Sequence, residues 1–254
     1  MNDETPEPGA QREQTLIEHL LELRDRLLRT VIVVLLLFLG LLPFANDIYH
    51  ALAKPLLDVM PAGTSMIATG VASSFIAPMK LTAWLALFIA VPYVLWQVWA
   101  FVAPGLYRHE KRFAAPVLVS SVLLFYGGMA FAYFVVFPLV FAFFTATAPE
   151  GVAVMTDIEQ YLSFVLTLFL AFGIAFETPV VVVLLVAMNM VSTQAMVAAR
   201  PYIIVAAFVI GMLLTPPDIL SQFLMAIPMW MLFEVGLLVG RLIEKRRAAN
   251  DAAA

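Results

Sequence analysis

Long runs of apolar residues without a single charge constrain this chain more than any other feature of its sequence. The run VIVVLLLFLGLL at residues 31–42 is one example, and comparable runs recur along the chain. Of the 254 residues, 63% are hydrophobic and 13% are charged, whereas soluble domains carry about 25% charged residues. A β-barrel is excluded because its strands alternate apolar and polar residues, and these runs are continuous. The sequence therefore predicts an all-α protein that crosses a membrane several times.

Six apolar windows are the candidate transmembrane helices. Their approximate bounds are 28–45, 79–101, 114–138, 161–188, 201–215 and 219–240. Prolines lie near most of the ends, while Pro92, Pro116, Pro179 and Pro228 lie inside the windows and predict kinks. The fifth span is short, because its residues at 1.5 Å each reach only ~22 Å of a hydrocarbon core of ~30 Å.

The polar segments complete the predicted organisation. Residues 1–13 are expected to form a disordered tail, 14–245 the six-span membrane domain, and 246–254 a second tail. The segments 46–78 and 139–160 are expected to lie on the same side of the membrane. The first of them is interpreted as a cap of short elements on the membrane surface.

The distribution of basic residues predicts the orientation of the spans. Twelve of the 14 lysines and arginines lie on one side of the predicted spans, and only Lys54 and Lys80 lie on the other. The positive-inside rule assigns the richer side to the cytoplasm. Both termini are therefore expected to be cytoplasmic, which agrees with an even number of spans.

Several functional classes are excluded by residues that are missing. The chain has no cysteine, so it has no disulfide, thiol nucleophile or thiolate-bound metal. A net charge of −4 gives no electrostatic footprint for nucleic acid. The HEKRF sequence has Phe113 where a zinc-protease HExxH motif needs its second histidine, and nucleophile-elbow and Walker motifs are absent. We expect neither an enzyme nor a resident metal or cofactor.

An amphipathic helix is predicted to run directly into the first span. In TLIEHLLELRDRLLR, residues 15–29, leucines recur at helical intervals, and Glu22–Arg26 and Asp25–Arg29 have the i,i+4 spacing of ion pairs. A salt-bridged interfacial helix is enough to explain this pattern without any further function.

Three polar residues lie within the predicted spans. Glu177, in FGIAFETPVVV, falls near the middle of the fourth span, where a charge costs roughly 2.5–3.5 kcal/mol on insertion scales. It is either a functional group that faces protein or water, or a neutral acid hydrogen-bonded to a neighbouring helix. Gln97 and Glu234 lie nearer span ends, so snorkelling towards the interface also explains them. A proton-coupled secondary transporter that uses Glu177 is the alternative function.

Five blocks of residues, in order along the chain, resemble the TatC family, the multispanning receptor of the twin-arginine protein translocase. They are HLLELRDRL, FANDIYH, QVWAFVAPGLYRHEKR, FGIAFETP and GMLLTPPD, and the resemblance covers about residues 15–245. It implies six helices in a concave, glove-like arrangement in the bacterial cytoplasmic (inner) membrane. It also implies recognition of twin-arginine signal peptides of folded cargo, single-span TatA- and TatB-type partners, self-association in a receptor complex, and transport driven by the protonmotive force.

The resemblance also assigns residues to signal-peptide recognition. Glu22 and Glu110 match the two acids that recognise the arginine pair in the family. The residues expected around them are His19, Arg24, Phe101, Tyr107, Arg108 and Arg112. These assignments agree with the chemistry, because a guanidinium grips a carboxylate through two parallel hydrogen bonds. Phe101 could contact the hydrophobic residues that follow the arginines.

Other assignments from the resemblance lie elsewhere in the chain. Glu177 matches the intramembrane acid of the family. Met212, Thr215 and Gln222 fall where TatC proteins dock the transmembrane helix of a partner, and Pro55 and Asp218 match functional positions outside the membrane. The chain departs from the family at Gly70, with Ser74 before Phe75, where many relatives carry an acid.

Overall fold

The computed structural model describes residues 8–58, 66–102, 114–146, 156–214 and 219–251, and helices occupy nearly all of them. The helices are α1 Pro8–Leu41, the 3-10 turn Leu42–Phe44, α2 Ala45–Asp58, α3 Ser73–Val102, α4 Ala114–Phe131, the π-helical turn Ala132–Val136, α5 Phe137–Ala146, α6 Ile158–Phe176, α7 Thr178–Ala187, α8 Thr193–Ala198, α9 Arg200–Leu214 and α10 Ile219–Asp251. Two short strands, β1 Met66–Ile67 and β2 Thr156–Asp157, pair in parallel.

Five helical segments within the described ranges are long and apolar enough to cross a membrane. They are Ile17–Ala51, Ser73–Phe101, Ala115–Val140, Ile158–Ala187 and Gln222–Arg246. Helices are required here because every backbone N–H and C=O in lipid must be bonded within its own segment. The prediction of an all-α membrane protein is confirmed at this level. Helix α9 is a shorter apolar helix that corresponds to the predicted fifth span, and its 15 residues reach only ~22 Å.

Side-chain contacts define the directions of the helices and two ends of the bundle. Helix α1 is antiparallel to α3, because Arg26 contacts Gln97 whereas His19 contacts Phe101. Helices α4 and α6 are also antiparallel, as are α9 and α10. The end at which α1 begins and α3 ends is called the amino-terminal end below. The opposite end, which carries α2 and the two strands, is called the cap end.

Three clusters of buried side chains in the described part of the chain hold the helices together. The larger cluster joins α3, α4, α5 and α6 and includes Phe125, Phe137 and Leu162. A second cluster joins α7, α8 and α10 around Val186 and Leu237, and a third joins the π-helical turn, α5, α6 and α10. In lipid, helices associate through such close packing, since transfer of apolar groups from water gives no driving force between them.

Helix α1 lies at the edge of this arrangement. It packs mainly against α3, and its leucines Leu20, Leu27 and Leu36 are each at least 60% exposed. As predicted, the amphipathic segment and the first span form one continuous helix. Most of the surface of this helix is therefore left for lipid or for another protein.

The prolines inside the predicted spans act in different ways. Pro92 and Pro228 lie within the continuous helices α3 and α10. Pro116 lies in the first turn of α4, where its missing N–H breaks no intrahelical bond. The helix is interrupted only before Pro179, between α6 and α7.

The helices at both ends of the chain extend beyond the predicted domain limits. Helix α1 begins at Pro8, inside the segment 1–13 that was expected to be a disordered tail, and α10 continues to Asp251. Alanine is the best helix former, which favours continuation of α10 through RRAAND after its apolar part ends.

The cap end joins the two segments expected outside the membrane. β1 belongs to the segment 46–78 and β2 to the segment 139–160, and they pair with Met66 opposite Thr156 and Ile67 opposite Asp157. Helix α2, also from the first segment, packs against α3. This contact positions the cap relative to the start of α3.

Candidate functional site

A polar network at the amino-terminal end of the bundle links α1 to α3. Arg26 donates from Nε and Nη2 to Glu22 Oε1, at 2.9 and 2.6 Å. Its third nitrogen, Nη1, donates to Gln97 Oε1 at 3.1 Å. Gln97 Nε2 in turn donates to the Tyr93 hydroxyl at 2.7 Å. The predicted Glu22–Arg26 pair is confirmed, and it is extended by two residues of α3 that are 67 and 71 positions away from Arg26.

Gln97 differs from its sequence-based interpretation. Snorkelling would leave its amide in the interface, whereas the side chain is buried, at 5% exposure, with partners for both its oxygen and its nitrogen. The physical reason is that an unpaired amide is costly to bury, and Arg26 on the neighbouring helix supplies a charged donor. Snorkelling is therefore the wrong explanation for Gln97.

An aromatic contact lies one to two helical turns beyond this network. His19 of α1 stacks on Phe101 of α3 with ring centroids 4.2 Å apart and an interplanar angle of 23°. Two of the residues predicted around Glu22 are thus in contact with each other. Because α1 and α3 are antiparallel, the stack and the Glu22 network form one continuous strip along this interface.

Arg24 lies outside the network. It donates to Asp25 Oδ1 at 2.8 Å, and both side chains are more than half exposed. Asp25 therefore pairs with its neighbour in sequence instead of Arg29, and the predicted Asp25–Arg29 pair is wrong. The i,i+4 spacing permits such a pair but does not enforce it, since exposed ion pairs differ by only tenths of a kcal/mol.

The second predicted recognition segment lies outside the described residues. It contains Tyr107, Arg108, Glu110 and Arg112. Phe101, which the resemblance groups with them, is among the described residues and lies near the end of α3. The proximity of Glu110 to Glu22 therefore stays a prediction.

Glu177 lies at the break between α6 and α7. Its N–H bonds to the Ile174 carbonyl, three residues back, at 3.0 Å, and the helix resumes with the bond from Val181 N–H to the Glu177 carbonyl. Pro179 explains the break, because it has no N–H to continue the ladder. Glu177 lies about two-thirds of the way from Ile158 to Ala187. It is therefore closer to the amino-terminal end of the bundle than the predicted position near the middle of the span.

The Glu177 carboxyl faces the beginning of α4. Ser121 on that helix is its polar neighbour, and the Ser121 hydroxyl also accepts a hydrogen bond from Trp99 Nε1 at 3.1 Å. Glu177 Oε1 is buried and has no hydrogen-bond partner among the described residues. The acid thus has one polar contact to a neighbouring helix and spare capacity for another.

Glu234 forms an ion pair between helices α9 and α10. Arg200 Nη2 donates to Glu234 Oε2 at 2.6 Å, with the two side chains about one-third exposed. The acid is held by an arginine 34 residues away in the chain, a partner that the snorkelling interpretation did not include. The sequence contains both residues, but only the antiparallel packing of α9 and α10 brings them together.

The residues predicted to dock a partner helix lie where α9 ends and α10 begins. Met212 is exposed, and Gln222 is partly exposed. The two helices approach closely here, since a Cβ on Gly211 would lie 3.7 Å from the Gln222 carbonyl oxygen. Thr215 and Asp218 lie outside the described residues, and Pro55 lies in α2.

The cap end carries a second group of hydrogen bonds that the sequence analysis did not identify. Asp157 Oδ1 accepts from the N–H groups of Glu159 and Gln160 and so caps α6. Its Oδ2 accepts from the Thr69 N–H and hydroxyl, 88 residues away. These bonds, that from the Thr69 hydroxyl first, lower the pKa of Asp157 to about 2. The sequence TDIEQ has the pattern of an aspartate that caps a helix, so the bonds to Glu159 and Gln160 could have been predicted from it. The bonds to Thr69 could not.

Gly70 lies within the same group. Its N–H donates to Ser73 Oγ at 3.2 Å, and Ser73 Oγ donates to Glu159 Oε2 at 3.3 Å. A Cβ on Gly70 would lie 2.5 Å from Ser73 Oγ. An acid at Gly70 would therefore require this serine to move.

Comparison with known proteins gives a consistent result. Residues 18–228 match the family model of the Sec-independent protein translocase protein TatC. The chain is 57% identical to the TatC protein of Azotobacter chroococcum over 97% of this chain and 98% of that one. It is 60% identical to the TatC protein of Haemophilus influenzae over 92% and 91%.

Solved structures agree with these matches. A crystal structure described as the twin-arginine translocase receptor TatC superposes with a TM-score of 0.78 at 37% identity, and it covers 88% of this chain and 98% of that one. The matches do not support the alternative of a proton-coupled secondary transporter. This bacterial multi-pass membrane protein belongs to the TatC family of Sec-independent protein translocases.

Proposed function

We propose that this chain is the receptor and scaffold subunit of a twin-arginine translocase and that Glu22 binds an arginine of the signal peptide. The observation that carries the proposal is that the Glu22 carboxylate already accepts two hydrogen bonds from one guanidinium. The side chain is 39% exposed, so a second protein can reach it. The His19–Phe101 stack offers an apolar surface beside it for the residues that follow the arginine pair.

The proposed topology has six spans with both termini in the cytoplasm, arranged as a concave wall in the cytoplasmic membrane. Its support is the uneven distribution of basic residues and the five long apolar helices together with the short α9. In this orientation the Glu22 network faces the cytoplasm, where signal peptides arrive. Glu110, Tyr107, Arg108 and Arg112 then complete the recognition surface.

The other proposed roles follow the same topology. Met212, Thr215 and Gln222 bind the transmembrane helix of a TatA- or TatB-type partner, since the end of α9 leaves Met212 exposed at a short helix. Glu177 provides a polar contact within the membrane, using the oxygen that has no partner among the described residues. Pro55 and Asp218 contribute on the opposite side.

Peptide binding to the purified chain tests the proposal. Wild type, Glu22→Gln, Glu110→Gln and the double variant are titrated with fluorescent peptides that carry Arg-Arg or Lys-Lys before an apolar segment. Each glutamine removes the anionic acceptor while keeping the shape, so Arg-Arg affinity should fall by about tenfold or more per variant. Lysine keeps the charge but lacks the planar fork, so the Lys-Lys peptide should bind wild type more weakly. Unchanged Arg-Arg affinity in both glutamine variants would contradict the proposed recognition site.

A further inference from the structure

The proposed guanidinium site on Glu22 already contains a guanidinium, which comes from the chain itself. Arg26 uses two nitrogens on Glu22 and the third on Gln97. Both bonds to Glu22 end on Oε1, so a peptide arginine whose fork grips both carboxylate oxygens competes with Arg26 for that oxygen.

We propose that Arg26 is an internal competitor that occupies Glu22 in the free receptor and leaves it when an arginine of the signal peptide binds. This inference rests on the proposed function of Glu22. It gives Arg26, which has no role in the proposed function, a part in setting the affinity for the signal peptide.

Three features of the site suit it to such an exchange. Arg26 is the more buried partner, at 22% exposure against 39% for Glu22, so a peptide approaches the acid from the open side with Arg26 behind it. The Nη1 bond to Gln97 does not involve Glu22 and can persist when the other two bonds are lost. Gln97 is itself held by Tyr93 and is 5% exposed, so this anchor is fixed in place.

The exchange also keeps the carboxylate paired throughout. An acid close to lipid is costly when no cation accompanies it, and here Glu22 has Arg26 before binding and the peptide arginine afterwards. The free energy that the peptide gains at Glu22 is then that of its own contact less that of the Arg26 contact it replaces. This makes recognition reversible, as release of the signal peptide requires.

Competition has a defined consequence for specificity. If the peptide and Arg26 exclude each other on Glu22, removal of Arg26 raises the affinity for every cationic peptide by the same factor. The ratio between Arg-Arg and Lys-Lys affinities therefore stays unchanged. A direct contact between Arg26 and the peptide would instead alter that ratio.

The test compares Arg26→Met, Arg26→Lys and the control Arg29→Met in the purified full-length chain, with the Arg-Arg and Lys-Lys peptides as probes. Arg29 is an exposed arginine of the same helix, so its variant measures the general effect of one lost positive charge. Relative to that control, Arg26→Met should bind both peptides roughly two- to fivefold more tightly, the range that partly exposed ion pairs span. Arg26→Lys keeps the charge but loses the fork, so its affinity should lie between wild type and Arg26→Met.

A second arm repeats Arg26→Met in the Glu22→Gln background, where it should have no effect beyond that of Arg29→Met. Weaker binding by Arg26→Met, a changed Arg-Arg to Lys-Lys ratio, or an Arg26→Lys variant equal to wild type would each overturn the inference. In those cases a loss of affinity in Glu22→Gln alone would leave the proposed function intact. If Glu22→Gln has no effect, the proposed site and this inference both fail. Thermal unfolding of each variant verifies that the receptor remains folded.

Discussion

Gly236 of α10 lies against the backbone of Pro179 in α7 so closely that an added Cβ would be 2.8 Å from the Pro179 Cα. The same atom would lie 3.0 Å from the Val182 Cβ. Pro179 follows the break at Glu177, so this contact ties the interrupted fourth span to the last helix. Packing at this point therefore supports the position of Glu177.

Substitution of Gly236 by alanine should destabilise the bundle. The methyl group meets backbone and a β-branched side chain, neither of which can move away freely, so we expect a loss of about 1–3 kcal/mol in unfolding free energy. Thermal unfolding in detergent measures it. The matched control is Gly127→Ala, where nothing lies within 4 Å of the added Cβ and the change should be neutral or favourable. If the two variants change the unfolding free energy equally, the close contact at Gly236 is contradicted.

Removal of one member of the Arg200–Glu234 pair should destabilise more than removal of both. Arg200→Met leaves a carboxylate without its cation between α9 and α10, which we expect to cost about 1–2 kcal/mol because the pair is only partly buried. Addition of Glu234→Leu should recover most of that loss. A double-mutant cycle on thermal stability in detergent measures the coupling. Additive losses would show that the pair contributes nothing.

The side chain at Glu177 should tolerate a polar isostere. Glu177→Gln keeps an oxygen and a donor that can engage Ser121, whereas Glu177→Leu leaves Ser121 with fewer partners and Glu177→Lys introduces an uncompensated cation. We expect export of a folded reporter to decrease in the order Gln, Leu, Lys. If Gln and Leu lose export equally, ionisation of the acid is itself required.

The cap end should lose stability in acid through Asp157. Its pKa is lowered from 3.8 to about 2, so the folded state binds this proton less readily than the unfolded state. The stabilisation is therefore complete above about pH 5, and it is lost as the pH falls through the range from about 4 to 2. Thermal unfolding midpoints across this range measure the effect.

Two variants provide the controls for this pH dependence. Asp157→Asn should abolish most of it, and Thr69→Val, which removes the strongest contributing donor, should reduce it in part. If wild type and both variants lose the same stability in acid, groups other than Asp157 cause the pH dependence.

Cysteine labelling tests the proposed topology. Single cysteines at Ser65 and Thr147 should react with an impermeant thiol reagent in intact cells, because both lie in the segments expected outside, and a cysteine at Ala249 should not. The chain has no native cysteine, so the background is low. Labelling at Ala249 but at neither of the other two positions would show that the orientation is the reverse of the one proposed.

The five long apolar helices, the short α9 and the ion pair between Glu22 and Arg26 could be predicted from the sequence alone. These features are local: backbone groups in lipid bond within their own helix, and i,i+4 side chains share a face wherever a helix forms. The hydropathy and the spacing of residues along the chain are enough to predict them. Pro179 was one of four prolines at which the sequence predicts a kink, and the structure interrupts the helix only at that one of the four.

The partners of the isolated polar residues depend instead on how the helices pack against each other. Snorkelling was the sequence-based interpretation of both Gln97 and Glu234, whereas their hydrogen-bond partners, Arg26 and Arg200, lie 71 and 34 residues away. The Asp157 bonds to Thr69 depend in the same way on the parallel pairing of β1 with β2. Which helix faces meet is set by close packing at glycines such as Gly236, and that depends on the summed shape of many side chains, which no single segment contains.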